Sequence, residues 1–278
     1  MPSIGLSPTA VEAFRRRVWE QYQEHGRHDL PWRQTRDPYA VLVSEVMLQQ
    51  TQVSRVLAKY GDWLTAFPSV DALGAAPLEA VLRAWQGLGY NRRAVNLKRT
   101  AEVISDKHAG RVPRDPVVLR TLPGIGPATA AGVAVFAYND PVPYLETNVR
   151  TVFLHEFLAD RDRVPDREIL PLVEATLDRD RPREWFYALL DYGNGIKRSM
   201  PNPSRRSAHH APQSPFEGSR RQKRAKLLRA VIATPGLSSG DAASELAITS
   251  GEAVELLEEL AAEGFMRQSE GGWSIRQA

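Results

Sequence analysis

The sequence predicts an all-α protein with a helix-hairpin-helix and a small winged-helix tail, and three observations carry that reading. Before Gly193, apolar residues recur almost everywhere at three-, four- and seven-residue spacings, and hardly any segment alternates as a strand would. A turn rich in glycine and proline, Pro123 to Pro127, separates two short apolar stretches at 117–122 and 129–136. After residue 222 come three helical segments and a two-stranded hairpin pattern.

The elements follow in order. Residues 11–24 form an amphipathic helix that runs out at Gly26, the expected C-cap. Asp37 and Pro38 are an N-cap and first-turn pair. Beyond them Leu42, Val46, Val53, Leu57, Tyr60 and Leu64 mark one packed helical face, which Pro68 interrupts. Helices are expected at 77–85, stopped near Gly87 and Gly89, and at 92–108, ending at Gly110. Further helical stretches cover 149–157, 169–177 and 184–192. Residues 200–219, rich in Pro, Ser, His and Arg, read as an extended surface loop. Helices at 222–232, 239–246 and 250–263, then strands at 265–269 and 273–275, complete a winged helix. Such modules bind DNA or protein, and the helix in the recognition position here is acidic, a poor visitor to a phosphate-lined groove.

A chain of 278 residues holds one large or two modest domains. There are no cysteines, which excludes disulfides, cysteine nucleophiles, zinc thiolates and cysteine-ligated iron–sulfur clusters. No apolar run is long enough to span a bilayer, and the first residues lack the pattern of a secretory signal, so a cytoplasmic, nucleoid-associated protein is expected. The net charge is only +3, but it is unevenly spread. Residues 195–230 carry +9 and residues 240–278 carry −6, while the rest balances. Charge alone leaves two readings of the basic segment, a phosphate-binding footprint or a solvated linker.

Gly124 and Gly126 permit positive φ and close backbone approach, and the amides after Gly126 open a helix, where dipole and unpaired N–H groups favour phosphate. Two glycines exceed what a plain helix–helix turn requires. Two acids stand out as well. Glu45 interrupts an apolar helical stretch between Leu42 and Leu48, and Glu146 precedes another helix. A carboxylate in such surroundings needs a partner or a task, and from the residues alone a cap or an arginine pair accounts for either acid.

The strings PWRQTRDPYAVLVSEVMLQQTQV, WQGLGYNRRAVNLKRTA and LPGIGPATAAGV resemble the MutY-type adenine DNA glycosylases of the helix-hairpin-helix superfamily. The likeness runs from about Leu30 to Asn194. It implies a glycosylase core over 1–222, with a helical barrel subdomain at about 31–140 and a second subdomain from the N-terminal helix and 141–222. The winged-helix domain would occupy 223–278. On this resemblance Glu45 takes the place of the general acid that protonates the departing adenine, and burial would favour its proton. Glu146 stands where the family has an aspartate two residues before an asparagine, here Asn148. The carboxylate is kept on an arm one methylene longer, and would stabilise the oxocarbenium-like sugar. Gln50 matches a residue that wedges into the duplex, Thr51 one near the oxidised guanine, and Leu88 and Tyr90 residues beside it. Arg33 matches a variable position at the adenine pocket.

Bifunctional relatives have a lysine two residues after the last hairpin glycine, where this chain has Ala128. Lys197 and Lys223 lie in or beside the surface loop, and no local pattern desolvates them. A monofunctional, water-dependent excision is implied. The segment that carries four cluster-binding cysteines in most relatives carries Arg205, Arg206, Arg220 and Arg221 here, expected on DNA phosphates. No cofactor is expected, and the adjacent His209 and His210 make no metal site by themselves. The partner implied is duplex DNA with a mismatched or damaged base, met by a monomer. Two other functions compete: a related glycosylase for uracil, G:T-mispaired thymine or hypoxanthine, and a non-catalytic DNA-binding scaffold.

Overall fold

The computed structural model describes residues 5–212 and 215–277. Residues 1–4, part of the N-terminal stretch without a signal pattern, and 213–214, part of the predicted loop, lie outside them. In chain order the helices are α1 (Pro8–His25), α2 (Pro31–Gln34), α3 (Pro38–Leu48), α4 (Val53–Ala66), α5 (Val70–Ala75), α6 (Leu78–Trp85), α7 (Arg92–His108) and α8 (Pro116–Leu119). Then come α9 (Pro127–Tyr138), α10 (Thr147–Glu156), α11 (Asp166–Thr176), α12 (Pro182–Ser199), α13 (Arg220–Ala233), α14 (Ser239–Leu246) and α15 (Ser250–Ala262). Strands β1 (Met266–Ser269) and β2 (Gly272–Ile275) pair antiparallel, with Met266 opposite Ile275. The chain divides into two compact units, one of residues 1–45, 113–121 and 125–212, the other of 46–112, 122–124 and 213–278.

In the first unit, α10 and α12 pack closely because Gly193 presents no side chain to the Asn148 carbonyl, which a Cβ there would overlap. Trp185 of α12 meets Phe14 of α1 edge-on at 5.9 Å, and Phe136 stacks on Tyr187 at 4.5 Å. Gly26 does cap α1, but its φ is −66°. A Cβ there would strike the Tyr22 carbonyl and His28, so the position demands space and not a left-handed turn. Asp37 caps α3 as expected, accepting from Tyr39 N at 3.1 Å and Ala40 N at 3.2 Å.

The loop at 200–219 is less extended than its composition suggests. A 3-10 turn at Pro203–Arg206 and a bridge between Val164 and Ser207 dock it, burying Ser204 and Ser207. Arg206 donates to the carbonyls of Leu154 and Leu158, both at 2.7 Å. These bonds satisfy carbonyls at and beyond the C-terminal end of α10, which have no helical partners.

In the second unit, the helical face expected to run through residue 64 is broken. α3 stops at Leu48, Gln50 takes φ 53°, and α4 restarts at Val53. The restart rotates the buried face onto Val56, Tyr60 and Trp63 and leaves Leu57 44% exposed. Helix α7 has the expected limits and packs on α5, a short helix the periodicity did not predict. Helices α13 to α15 and the hairpin form the winged helix, with Leu227, Val231, Leu256, Leu257, Trp273 and Ile275 buried.

Candidate active site

Glu45 lies two turns into α3, where every residue from Tyr39 to Ser44 is buried. Its carboxyl rests on α9 at Gly132, where a Cβ would overlap Oε2. Tyr144 comes to the same place, its ring 3.2 Å from where that Cβ would stand, and its hydroxyl hydrogen-bonds to Glu45. Desolvation, reinforced by the charge of Glu146 and opposed by the Tyr144 hydrogen bond, pushes the Glu45 carboxyl up to about 8. At neutral pH Glu45 therefore holds a proton, as a general acid must.

Glu146 is the N-cap of α10. It accepts from the amide of Asn148 and from Val149 N at 2.9 Å, while the Asn148 side-chain amide reaches its other oxygen at 3.3 Å. Burial raises its carboxyl above the usual range, against the opposing pull of these amides, Lys197 and Arg150. The two acids thus sit in unlike surroundings. Glu146 has several groups that favour its anion, and Glu45 has the hydroxyl of Tyr144. The capping reading and the chemical reading of Glu146 hold together, because the cap aims and steadies the carboxylate.

Lys197 corrects an expectation. α12 continues to Ser199, so Lys197 stands on a helix, and desolvation lowers its ammonium below the usual range despite the nearby Glu146. The signal was its spacing, four residues after Gly193 on the buried face. Lys223 is 2.6 Å from Glu252.

Arg33 is locked in place. Its two terminal nitrogens donate to Asp191 at 2.7 and 2.9 Å, Arg27 shares that carboxylate, and the guanidinium lies 4.5 Å from the Tyr187 ring centre. Burial opposes ionisation of Asp191, but these arginines outweigh it and hold the carboxyl below its usual range. Arg33 Nε is buried with no hydrogen-bond partner.

In the second unit Gln50 and Tyr90 both have left-handed backbones, φ 53° and 47°, which side chains rarely adopt without support. Arg93, which sequence reasoning missed, supplies it. Its Nη1 donates to the Val46 and Met47 carbonyls at 2.8 and 2.9 Å. Its Nη2 reaches Thr51 Oγ1 at 2.8 Å and the Leu88 and Gly89 carbonyls at 3.2 and 3.0 Å. One guanidinium thereby ends α3 and holds both loops. Its clue was a position four residues before Leu97 on the buried stripe of α7. Tyr90 is 40% exposed, but Leu88, expected to enter or line the space beside the lesion, is only 2% exposed.

Gly124 has φ 74°, and a Cβ would come within 2.6 Å of Asn96 Nδ2. Gly126 takes φ −84° and not the positive φ its residue type permits, and it is the N-cap of α9 with open space around it. The basic segment is also less solvated than its sequence suggests. Arg220 reaches Glu255 at 2.9 Å and Glu259 at 2.5 Å, and Arg224 reaches Glu259 and Glu263, both at 2.8 Å. Arg221 donates to the Tyr90 hydroxyl at 2.9 Å, and Arg205 is exposed. Among the described residues, no cluster of three or more His, Cys, Asp or Glu forms a metal site.

A helical fold with a glycine hairpin and a desolvated pair of acids defines the class, a helix-hairpin-helix protein. Residues 43–171 match the HhH-GPD superfamily base excision DNA repair protein family. A thymine/uracil-DNA glycosylase of Pyrobaculum aerophilum is 33% identical over 199 residues, covering 69% of this chain and 86% of that protein. The chain belongs to the HhH-GPD superfamily. It is also 44% identical over 170 residues to an adenine DNA glycosylase of Mycolicibacterium smegmatis, covering 61% of this chain and 58% of that one. With an adenine DNA glycosylase of Mycobacterium tuberculosis it shares 48% identity over 152 residues, 54% of this chain and 49% of that one. The match thus spans about half the length of these adenine glycosylases. A solved thermostable thymine-DNA glycosylase shares the fold with TM-score 0.61 at 24% identity, over 69% of this chain and 90% of its own. No described helix is long and apolar enough to cross a membrane.

Proposed function

We propose that this protein is a monofunctional DNA N-glycosylase that removes adenine opposite 8-oxoguanine or guanine. The observation that carries the reading is the desolvated carboxyl of Glu45, raised to about 8, beside a second carboxylate that a helix N-terminus holds. Glu45 gives its proton to a ring nitrogen of the departing base, and the electrons of the broken glycosidic bond leave with that base. Glu146 faces the positive sugar and guides the water that attacks C1′. Ala128 offers no amine for a covalent intermediate. Gln50, Thr51, Tyr90 and Arg33 serve the lesion site, with the buried Leu88 packed beneath their loop, Asn148 steadies Glu146, and Gly124 and Gly126 approach the DNA backbone. Arg205, which is exposed, is better placed for phosphate than Arg206 and Arg220, whose guanidinium groups already hold carbonyls or carboxylates. The partner is duplex DNA bound by a monomer in the nucleoid, with the glycosylase core over 1–222 and the winged helix over 223–278.

A second reading, excision of thymine or uracil from mispairs, has its own support in the Pyrobaculum aerophilum relative, which this chain matches over 86% of its length. Duplexes carrying single lesions or mispairs, incubated with the protein and then treated with alkali, separate the two. Alkali-dependent cleavage at adenine opposite 8-oxoguanine is expected. Cleavage confined to thymine or uracil strands would install the second reading, and cleavage of none would leave a DNA-binding scaffold. Borohydride should trap no covalent complex. An adduct at Lys197 would overturn the monofunctional assignment.

A further inference from the structure

We propose that Tyr144 is a positioning residue for the reaction, its hydroxyl holding the Glu45 carboxyl over the bare backbone of Gly132 and stabilising the carboxylate left when Glu45 gives up its proton. This inference rests on the role of Glu45 proposed above. The ring of Tyr144 cannot readily turn away. Phe136 of α9 meets it nearly perpendicular at 5.2 Å, and Phe186 of α12 does so at 5.5 Å. Tyr144 itself is buried, 5% exposed, so its phenol has lost water and gains from a protein acceptor. Gly132 is what lets the two groups meet. Any side chain there would occupy the Glu45 oxygen position and crowd the Tyr144 ring.

The hydrogen bond is worth more once Glu45 has become an anion, because charged acceptors bind donors more tightly than neutral ones. As the base takes the proton and leaves with the bonding electrons, negative charge appears on Glu45, and Tyr144 is already aimed at it. Such a contact strengthens during the reaction and so lowers the barrier. The other ionisable groups near Glu45 act in the opposite direction or weakly. Glu146, at the α10 cap, repels the new charge, and Tyr187, on α12, is itself held protonated by burial and by Glu45.

The experiment is Tyr144→Phe, assayed by single-turnover excision across pH on the duplex that the wild-type protein cleaves. The ring and its packing remain and only the hydroxyl goes. Excision should slow by about 10- to 100-fold at neutral pH, the effect of one hydrogen bond to a charged group. The alkaline limb of the profile should move upward by about one pH unit, because the carboxylate has lost its donor. A purely structural tyrosine would lower the rate without moving that limb. A carboxyl-resolved NMR titration of Glu45 in both proteins follows the same shift without turnover, and would keep the test open for a variant with no measurable excision. An unmoved limb and an unmoved Glu45 titration would overturn the proposal. Glu45→Gln separates the two readings: if it excises normally, the general-acid assignment fails, whereas an inactive Glu45→Gln beside an unshifted Tyr144→Phe sinks only the inference about Tyr144.

Discussion

Two charged regions of this chain are built on opposite plans. In the first unit, Glu45 and Glu146 are two acids brought together out of water, steadied by a phenol and by the first amides of α10. Burial and the nearness of Glu146 keep Glu45 protonated at neutral pH. In the second, the bases of α13 meet the acids of α15 in opposite-charge pairs at the surface: Arg220 with Glu255 and Glu259, Arg224 with Glu259 and Glu263, Lys223 with Glu252. Solvated pairs of the second kind contribute little each and mainly keep helices in register. A desolvated acid beside a second acid costs energy to ionise, and such groups mark chemistry more often than architecture. A segment's net charge therefore says less about function than what each charge faces. Part of the most conspicuous charge pattern in the sequence, Arg220, Lys223 and Arg224, is answered by acids of one small module, while two acids that barely register in composition form the candidate site.

The largest effects should come from breaking the pair of buried acids. Glu45→Gln should reduce single-turnover excision by about 10²- to 10⁴-fold with duplex affinity within about threefold, measured on the same alkali-cleaved substrate. A variant as fast as its parent would make the buried acid structural. The pH dependence has a definite sign. Glu45 must be protonated to act, so excision should fall as pH rises through about 8. Stability should follow the same group. A folded-state value raised from 4.5 gives stability that is complete below about 4.5 and lost as pH rises to about 8. Thermal unfolding should show Glu45→Gln gaining on the wild-type protein across that window, and a constant difference would contradict the assignment.

Glu146→Gln should slow excision by about 10²- to 10³-fold, having lost the charge that faces the sugar cation. Glu146→Asp restores the family's residue and remains a good cap. It should keep at least about one tenth of the activity, since a repositioning near 1 Å costs at most about 10²-fold and the backbone can compensate in part. If Gln and Asp variants were equally impaired, the role of Glu146 would be the cap alone.

A smaller loss is expected from Arg93→Lys. One ammonium cannot serve five acceptors in two loops, so the left-handed turns at Gln50 and Tyr90 should loosen. Excision should slow by about tenfold, with fluorescence of 2-aminopurine at the target site reporting weaker base extrusion. Normal extrusion with normal rate would reduce Arg93 to a surface cap for α3.

The smallest effects belong to the basic segment, and they sharpen the contrast between paired and available charge. Arg205→Ala should lower the slope of log affinity against log salt by about 0.9, the value of one phosphate contact. Arg206→Ala should leave the slope alone and lower the melting temperature by a few degrees instead, while Arg220→Ala, which loses only a solvated pair, should leave both nearly unchanged. Equal slope changes at Arg205, Arg206 and Arg220 would restore the basic stripe as a continuous DNA surface.

Much of this protein is legible in its sequence because local chemistry decides it. The limits of α7 and α14, the Asp37 cap, the left-handed Gly124 and the closing hairpin all follow from periodicity and turn residues, which act over a few positions. The strings around Glu45, Leu88 and Gly124 pointed to the superfamily, and the absence of cysteine ruled out a cysteine-held cluster. Contacts between distant segments decided the rest. Arg93 binds carbonyls more than forty residues away and so ends α3, an effect no window on α3 contains. Arg206 answers the end of α10, Lys197 is desolvated by the extension of α12, and Tyr144 finds Glu45 only because Gly132 has no side chain. A residue's type sets what chemistry it can offer, whereas burial, pKa and partner depend on atoms that are remote in sequence and come near only when the chain has packed.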